Sequence, residues 1–451
     1  MTVTAIDVRA RSTRVVRTLN AVPLLTFYLI LLMGIPSRLQ FAPLGGLGTP
    51  SNIFAFIIFF WYLLAWLHPA SGLYRDRQPI RLAAVIWFSV ILAAYVSATQ
   101  HSMPALELNA ADRGVMLAAA WVGVLLVAAD GLSTLNQLQT LIRRIVWGAT
   151  AIATLGIIQF FSGLDVAKYI VIPGLSSQQP FISVGLRDSF NRPSATAIHP
   201  IEFGVVLAMC LPLAIHQARF APPGIRLRRW LQVAVIGTTL PMTVSRSAIL
   251  GLIISGFVIL SVWPKKDRRM AYLVVLASAV VMRAVIPGLL GTIRGLFTSL
   301  GSDSSAIERT GAISLASPFI SQHPWLGRGF GTFLPTTYFF TDDQYLNSLI
   351  DTGIVGMLAL MALIATGWFV ARRSRRISTD EEIRHLAQCL AASSAVALVS
   401  FATFDALSFT MATGITFLVL GCAGALWKLT SIEGEISPVP SGARPLFAGR
   451  G

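Results

Sequence analysis

The stretch Ile354–Val370, IVGMLALMALIATGWFV, runs for seventeen residues without a charged side chain. A helix needs roughly 20 predominantly apolar residues to cross the hydrocarbon core of a bilayer, and slightly fewer where its ends are polar. The stretch therefore predicts a membrane-spanning helix. It decides the fold class, because a helix that is apolar on every side must be surrounded by lipid or by other protein.

The remainder of the chain repeats this pattern. Of its 451 residues 55% are hydrophobic and only 12% are charged, with a mean hydropathy of +0.70. A soluble protein usually has about a quarter of its residues charged. We predict an all-α, polytopic membrane protein with about 12 transmembrane helices. The runs that predict these helices are Leu19–Ile35, Ser51–Leu67, Leu82–Ala98, Gly114–Ala129, Ile145–Phe161, Ile201–Ile215, Trp230–Val244, Ala248–Trp263, Ala271–Ile286, Ile354–Val370, Leu386–Phe404 and Thr410–Leu426.

The basic residues are distributed unevenly between the two sides of this topology. The net charge is +15, and with the N-terminus inside, the cytoplasmic segments carry 25 of the 35 Lys and Arg residues and 9 of the 20 carboxylates. Such an excess on the inner side orients membrane proteins. We expect both termini in the cytoplasm, a location in the inner (plasma) membrane, contacts with membrane lipids, and no nucleic-acid partner.

Residues 1–430 are expected to form one membrane domain whose first apolar run is an uncleaved helix, since no small-residue cleavage site follows it. Residues 431–451, rich in Pro and Gly, predict a disordered cytoplasmic tail. Two outward-facing loops, residues 162–200 and 287–353, exceed the length of about 15 residues beyond which connections are usually functional or disordered. Aromatic residues and glycines in the second, which precedes helix 10, indicate a large packed extracytoplasmic loop.

Several charged residues fall at the outer membrane boundary of this topology. Arg192, Arg246 and Arg309 come from three separate segments, and arginine is suited to bidentate binding of phosphate oxygens. The structural alternative is that each arginine pairs with a lipid head group or a nearby carboxylate, as Arg309 could with Glu308. Asp342 and Asp343 close the second loop, where an acid could instead cap the following helix.

Several short motifs follow one another along the chain. They are RPSATAIHP (Arg192–Pro200), SRSA (Ser245–Ala248), ER (Glu308–Arg309), HPWLGRGFGTF (His323–Phe333), DDQYL (Asp342–Leu346) and GIVG (Gly353–Gly356). In these motifs and their order the chain resembles the O-antigen ligase and O-antigen polymerase superfamily, whose members are multispanning glycosyltransferases. They move a glycan from a polyprenyl diphosphate carrier to a hydroxyl of a lipid or of a growing glycan chain, without a nucleotide sugar, a metal or another cofactor.

The resemblance implies a role for each candidate. The three arginines would bind the donor diphosphate and stabilise its growing negative charge. Asp342, with Asp343 as second choice, would be the catalytic base that deprotonates the acceptor hydroxyl. Ligases have a histidine at this position, and the aspartate favours a polymerase. His199 could contact the acceptor or the diphosphate, or it could simply satisfy backbone groups at the membrane boundary. His323 could contact the same ligands or simply shape a turn.

Other features leave alternatives open. A secondary transporter or a flippase for lipid-linked oligosaccharides would also have many helices, but it would show repeats and polar groups near the bilayer centre. Glu202 and Asp405 are acids in or near the membrane, which makes them functional candidates without an assigned role. The three cysteines lie in apolar runs and predict no disulfide, and no cluster of residues has metal-ligand spacing.

Overall fold

The computed structural model describes residues 21–68, 71, 73–100, 102–177, 185–187, 190–298 and 304–436, without the side chains of residues 185–187, 304–310 and 433–436. The N-terminal 20 residues and most of the expected tail lie outside this range. The described helices are α1 (Ala21–Gly34), α2 (Pro50–Leu67), α3 (Pro79–Thr99), α4 (Ala105–Gly131), α5 (Leu135–Ser162), α6 (Pro200–Arg219), α7 (Pro223–Met242), α8 (Arg246–Leu260), α9 (Lys265–Val285), α10 (Leu289–Thr298), α11 (Ser304–Gln322), α12 (Gln344–Ile377), α13 (Glu381–Ser400) and α14 (Thr410–Ile436).

Four short strands complete the described structure: β1 (Leu39–Gln40), β2 (Ser176–Ser177), β3 (Gly185–Arg187) and β4 (Phe190–Arg192). They form two antiparallel pairs, β1 with β2 and β3 with β4. Local sequence explains many helix boundaries. Proline occupies the first turn of α2, α3, α6 and α7, where its missing N–H costs nothing. Gly163, in a left-handed conformation, ends α5.

The all-α prediction is confirmed, and each of the twelve apolar runs lies wholly or largely on a helix, but the predicted count of spans is not confirmed. Among the described residues, eight helices are long and apolar enough to cross a membrane, or nine if the bent pair α9–α10 forms one span. Two other runs form α1 and α8, which are apolar but shorter. Helix α7 is not among the eight, because Arg226, Arg228 and Arg229 lie in its first two turns, just before the predicted apolar run.

The predicted long loop 287–353 contains regular structure. It holds α10 and α11, and α12 begins at Gln344, ten residues before the apolar run that predicts it. Several aromatic residues of this segment form a cluster with Leu346 and Ile350 of α12. The rings of Phe333 and Tyr338 stack with 5.0 Å between their centroids, and Phe319 of α11 meets both edge-on. The segment is therefore held against α12 by an apolar cluster of its own.

The core consists of α4, α6, α13 and α14, in which most residues of the apolar stretch are buried. Small residues allow close helix contacts there, as in other membrane bundles. At Gly421 an added Cβ would lie 2.6 Å from the Leu125 carbonyl oxygen of α4, so any larger residue would separate α14 from α4. All three cysteines are buried and free.

The connections gather at two ends of the bundle. The loop end comprises residues 35–49, 163–177, 190–199, 243–245, 323–343 and 401–409, and it carries the predicted outer segments. The opposite end comprises residues 73–78, 132–134, 220–222, 261–264 and 378–380. Contacts across each end support this division: Ser37 N donates to Thr196 O over 2.8 Å at the loop end, and Arg219 pairs with Asp267 over 2.7 Å at the opposite end.

Candidate active site at the loop end

The segment 192–200, which precedes α6, is fixed by buried polar side chains. The Gln159 side-chain carbonyl on α5 accepts hydrogen bonds from the backbone N–H groups of Ser194 (3.2 Å) and Ala195 (2.7 Å). The Thr196 hydroxyl donates to Met33 O at the end of α1 over 2.7 Å. Because backbone groups in a buried loop must be satisfied, these bonds give the segment a single conformation.

Glu202 completes this support and is itself fully buried. One carboxylate oxygen accepts from Ile198 N over 2.8 Å, and the other accepts from Met411 N (2.7 Å) and Ala412 N (3.2 Å) in the first turn of α14. An acid at a helix N-terminus satisfies N–H groups that have no partner within the helix. Glu202 therefore joins the 192–200 segment to α14, and the structure gives it a supporting role.

Arg192 and His199 lie near each other on this frame, and Arg246 follows the turn that Arg192 contacts. Arg192 Nε donates to Thr243 O over 3.3 Å, which places this arginine against the turn that leads to Arg246, the first residue of α8. The close approach of α6 and α8 beneath the turn requires Gly204, where an added Cβ would lie 2.4 Å from the Ala248 Cβ. The Arg192 side chain thus contacts the turn that precedes Arg246.

His199 is the N-cap of α6 and lies near Arg192 and Phe409. Its Nδ1 accepts from Ile201 N over 3.1 Å, so Nδ1 carries no proton and the neutral ring has its proton on Nε2. Burial, together with the positive charge of Arg192, lowers the pKa of His199 to about 4. His199 is accordingly neutral at physiological pH, and it can offer one N–H donor to a ligand.

The two aspartates that follow are held differently. Asp343 is the N-cap of α12: its Oδ1 accepts from Tyr345 N (2.8 Å) and Leu346 N (3.2 Å). The Asp342 carboxylate accepts no hydrogen bond from the residues that the structure describes, and Asp342 is only half-buried. Asp343 therefore fulfils the structural alternative of a helix cap, while Asp342 keeps its oxygens available.

Residues 401–409, between α13 and α14, connect the arginine side with the aspartate side. Phe409 packs against His199 with 6.3 Å between ring centroids. Asp405 accepts from Asn347 Nδ2 over 3.1 Å and from the Ser408 hydroxyl. Burial raises the pKa of Asp405, and the nearby charges of Asp342 and Asp343 raise it further. Asp405 thus forms a cluster of carboxylates with Asp342 and Asp343, the two aspartates that sequence reasoning had identified as a catalytic site.

Backbone strain coincides with these segments. Among the described residues other than glycine, positive φ angles occur at Ala195 (53°), Val244 (46°) and Asp342 (48°). Each lies within four residues of a predicted site residue or is one itself. A branched residue such as Val244 rarely adopts this conformation, and strained residues of this kind tend to cluster at functional sites.

His323 lies elsewhere on the loop end, in the segment 323–333 that packs on α12. There α12 is interrupted at Gly353, whose φ of 67° allows the Pro324 carbonyl to accept from Ile354 N over 2.9 Å. The buried Asp351 carboxylate accepts from Gly331 N (2.8 Å) and Phe333 N (3.0 Å). His323 borders a cavity of about 130 Å³ formed with the α3–α4 connection. The structure does not group it with the arginines.

Arg328 anchors the same segment to α4. Its Nη2 pairs with Glu107 Oε2 over 3.2 Å and with the Tyr338 hydroxyl over 2.9 Å. Sequence reasoning missed Glu107, Gln159 and Asp351. Only Gln159 had a signal, as a polar side chain inside the apolar run Ile145–Phe161, since the other two lie in polar stretches outside the runs. The third predicted arginine, Arg309, is on α11, but its side chain lies outside the described residues. No group of three His, Cys, Asp or Glu side chains in the described ranges could hold a metal ion.

Comparison with known proteins bears on this arrangement. No curated protein matches the chain. A family model described as O-antigen ligase matches residues 231–361, a range that contains Arg246, Arg309, the 323–333 segment and both aspartates. Enzymes of this family transfer glycosyl groups in membranes, and the chain has the apolar helices that such a membrane enzyme needs. The resemblance inferred from the motifs is thereby confirmed: residues 231–361 of this membrane protein carry the sequence signature of the O-antigen ligase family.

Proposed function

We propose that the protein is a glycosyltransferase that works at the loop end, on the extracytoplasmic face of the inner membrane. It transfers or polymerises glycan units from a polyprenyl diphosphate donor onto an acceptor hydroxyl. One observation carries this proposal. The Asp342 carboxylate accepts no hydrogen bond from the described residues, and its backbone is strained, at the same end of the bundle where Arg192 contacts the turn before Arg246.

The groups match the charges that change during such a reaction. The acceptor oxygen forms a bond to the anomeric carbon, and its proton passes to the Asp342 carboxylate. The bond between that carbon and the diphosphate oxygen breaks, and the diphosphate leaves with its electron pair. Arg192 and Arg246, with Arg309 as a third candidate, stabilise the added negative charge. The neutral His199 is placed to donate a hydrogen bond from Nε2 to the leaving group or the acceptor.

The interrupted helix α12 raises the alternative of a transporter or flippase, because broken helices commonly form ion and substrate sites in transporters. At this break, however, the chain itself occupies the freed groups. The carbonyls of Pro324 and Trp325 accept from Ile354 N and Val355 N, and the 331–333 amides take both oxygens of Asp351. These contacts favour a rigid scaffold and so support the enzyme.

Reconstituted vesicles containing the purified protein would test the proposal. With a polyprenyl diphosphate-linked oligosaccharide and an acceptor, we expect release of polyprenyl diphosphate together with a longer glycan. A ladder of products identifies a polymerase and a single addition identifies a ligase. Arg192→Lys should lose most product because lysine lacks the bidentate geometry, while Arg283→Lys, on the exposed face of α9, serves as the matched control. Movement of the intact donor across the vesicle without diphosphate release would instead identify a flippase.

A further inference from the structure

A second polar site lies at the opposite end of the bundle, away from the proposed active site. A cavity of about 390 Å³ is formed where α4 and α14 end beside the α2–α3 connection. Its polar side is lined by Tyr74, Arg75, Asp76, Asp130, Ser133 and Lys428. Arg75 and Asp76 are exposed and carry one charge of each sign, so they leave the charge balance of the cavity unchanged. Its apolar side is lined by Leu429 and Ile432, which lie near the C-terminal end of α14.

Three charged side chains meet beside this cavity in a buried cluster. Asp130 Oδ2 accepts from Arg81 Nη1 over 2.9 Å and from the Tyr62 hydroxyl over 2.7 Å. Lys428 Nζ donates to the backbone oxygen of Asp130 over 3.1 Å. The Asp130 side chain is 0% exposed and Lys428 is 3% exposed. Two cations thus face one carboxylate, and the cluster has one positive charge in excess.

The cluster also has unused hydrogen-bonding capacity. Asp130 Oδ1 is buried and has no hydrogen-bond partner among the described residues. The Lys428 ammonium has three donors, and one of them is accounted for by Asp130 O. A buried charge and a buried acceptor are both costly unless a partner is present. The cavity therefore calls for a ligand that brings one negative charge and a hydrogen-bond donor.

The position of the cavity identifies the membrane boundary as the source of that ligand. It lies where helices of spanning length end, at Leu67 of α2 and Gly131 of α4. Trp66 stacks beneath the Arg81 guanidinium at 4.8 Å, and tryptophan is enriched at the level of the lipid head groups. Leu67 is 77% exposed, as expected for a side chain that faces lipid. Basic pockets between helices at this level bind anionic head groups.

We propose that this cavity binds the head group of a phospholipid whose phosphodiester bears free hydroxyl groups, as in phosphatidylglycerol. The phosphate lies against Lys428, and a glycerol hydroxyl donates to Asp130 Oδ1. The acyl chains extend from the head group towards the middle of the bilayer. The single negative charge of this lipid balances the excess charge of the cluster, whereas the net neutral phosphatidylethanolamine leaves it unbalanced. The proposal is independent of glycosyl transfer.

Native mass spectrometry of the purified full-length protein tests this site, with phosphatidylglycerol, phosphatidylethanolamine and phosphatidylcholine supplied at equal amounts. We expect phosphatidylglycerol to be retained preferentially. Lys428→Met should weaken its retention by about tenfold, as the loss of one charge-assisted hydrogen bond implies. Lys428 Nζ lies over the Tyr74 ring, 5.5 Å from its centroid. The matched control is Lys168→Met, because Lys168 likewise lies over a tyrosine ring but is exposed at the loop end. Lys428→Arg should keep the preference.

Three results would overturn the proposal. The first is equal retention of phosphatidylethanolamine and phosphatidylglycerol by the unmodified protein. The second is equal retention of phosphatidylglycerol by Lys428→Met and Lys168→Met. The third is that glycerophosphoglycerol, which has no acyl chains, binds as well as phosphatidylglycerol. The last would assign the cavity to a soluble phosphodiester. The lipid series on the unmodified protein decides the matter even if Lys428→Met fails to accumulate.

Discussion

Asp342 and Asp343 are neighbours in the chain, but their carboxylates have different surroundings. Asp343 accepts two backbone hydrogen bonds as the cap of α12, whereas Asp342 accepts none from the described residues. A carboxylate engaged in capping is a poorer base, because its proton affinity falls when its charged form is hydrogen-bonded. The fold therefore supports the order of choice that places Asp342 before Asp343.

Replacing these two aspartates separately should distinguish base from cap. Asp342→Asn keeps the shape but removes the basic oxygen, so turnover should fall by about two to four orders of magnitude while donor binding changes little. Asp343→Asn keeps a good capping side chain and should retain most activity. Asp342→His recreates the ligase arrangement and should restore part of the turnover. Chain formation from a lipid-linked donor measures all three, and an Asp342→Asn protein of unimpaired turnover would shift the role to another group.

His199 gives the loop end a pH dependence. Its folded pKa of about 4 lies below the ordinary value of 6.5, so the unfolded chain binds the proton more tightly than the folded protein. This contribution to stability is complete above pH 6.5 and is lost as the pH falls towards 4, by up to about 3 kcal/mol. His199→Asn keeps a capping group that does not titrate, so its Tm should fall less over that range. If Tm fell equally with pH in both proteins, this role of His199 would be contradicted.

Among the elements, α12 begins ten residues before the apolar run that predicts it. Its first ten residues include Gln344, Asn347, Ser348 and Asp351, so the apolar pattern begins only at Ile354. These polar residues are helical because the fold supplies partners: Gln344 binds Leu407 N over 2.7 Å, and Asp351 binds the 331–333 amides. Such partners come from distant parts of the chain, and hydropathy alone does not reveal them.

The break in α12 should tolerate no side chain at Gly353. An added Cβ would lie 2.3 Å from the Trp325 backbone on a residue whose φ is 67°, so Gly353→Ala combines a clash with strain of about 1–3 kcal/mol. We expect a lower Tm in detergent and a lower yield. Gly256→Ala on α8, where nothing lies within 4 Å, is the control and should be neutral or slightly stabilising. Equal Tm values for the two variants would show that the break at Gly353 is not important for stability.

At the scale of the whole molecule, the orientation in the membrane determines which side the active site faces. Cysteines introduced at Ser321, exposed at the end of α11, and Thr379, exposed at the opposite end, report it directly. The native cysteines are buried and should give little background. An impermeant thiol reagent should label Ser321→Cys in intact cells and Thr379→Cys only after permeabilisation. The reverse pattern would place the loop end in the cytoplasm and end the proposal of an extracytoplasmic donor.

Much of the helix pattern could be predicted, because a bilayer demands long apolar runs and these stand out in any sequence. The number of spans could not, since α8 is shorter than a full span and α7 carries three arginines. Arg192, Arg246 and Asp342 were identifiable as charges at a membrane boundary. Glu202 and Gln159 were not assignable, because their roles consist of satisfying backbone groups that only the folded chain brings to them.

Helix α9 is nearly detached from the rest of the bundle. Of its residues only Met282 is buried, and side chains such as Leu273, Val275 and Val281 are more than half exposed. Its continuation α10 turns by 112° and packs beside Val244, next to the Arg246 turn. The flank beneath that turn is thus open to lipid. A donor dissolved in the membrane can arrive by sideways diffusion without ever entering water, so its supply depends on its surface density among the lipids and on no bulk concentration.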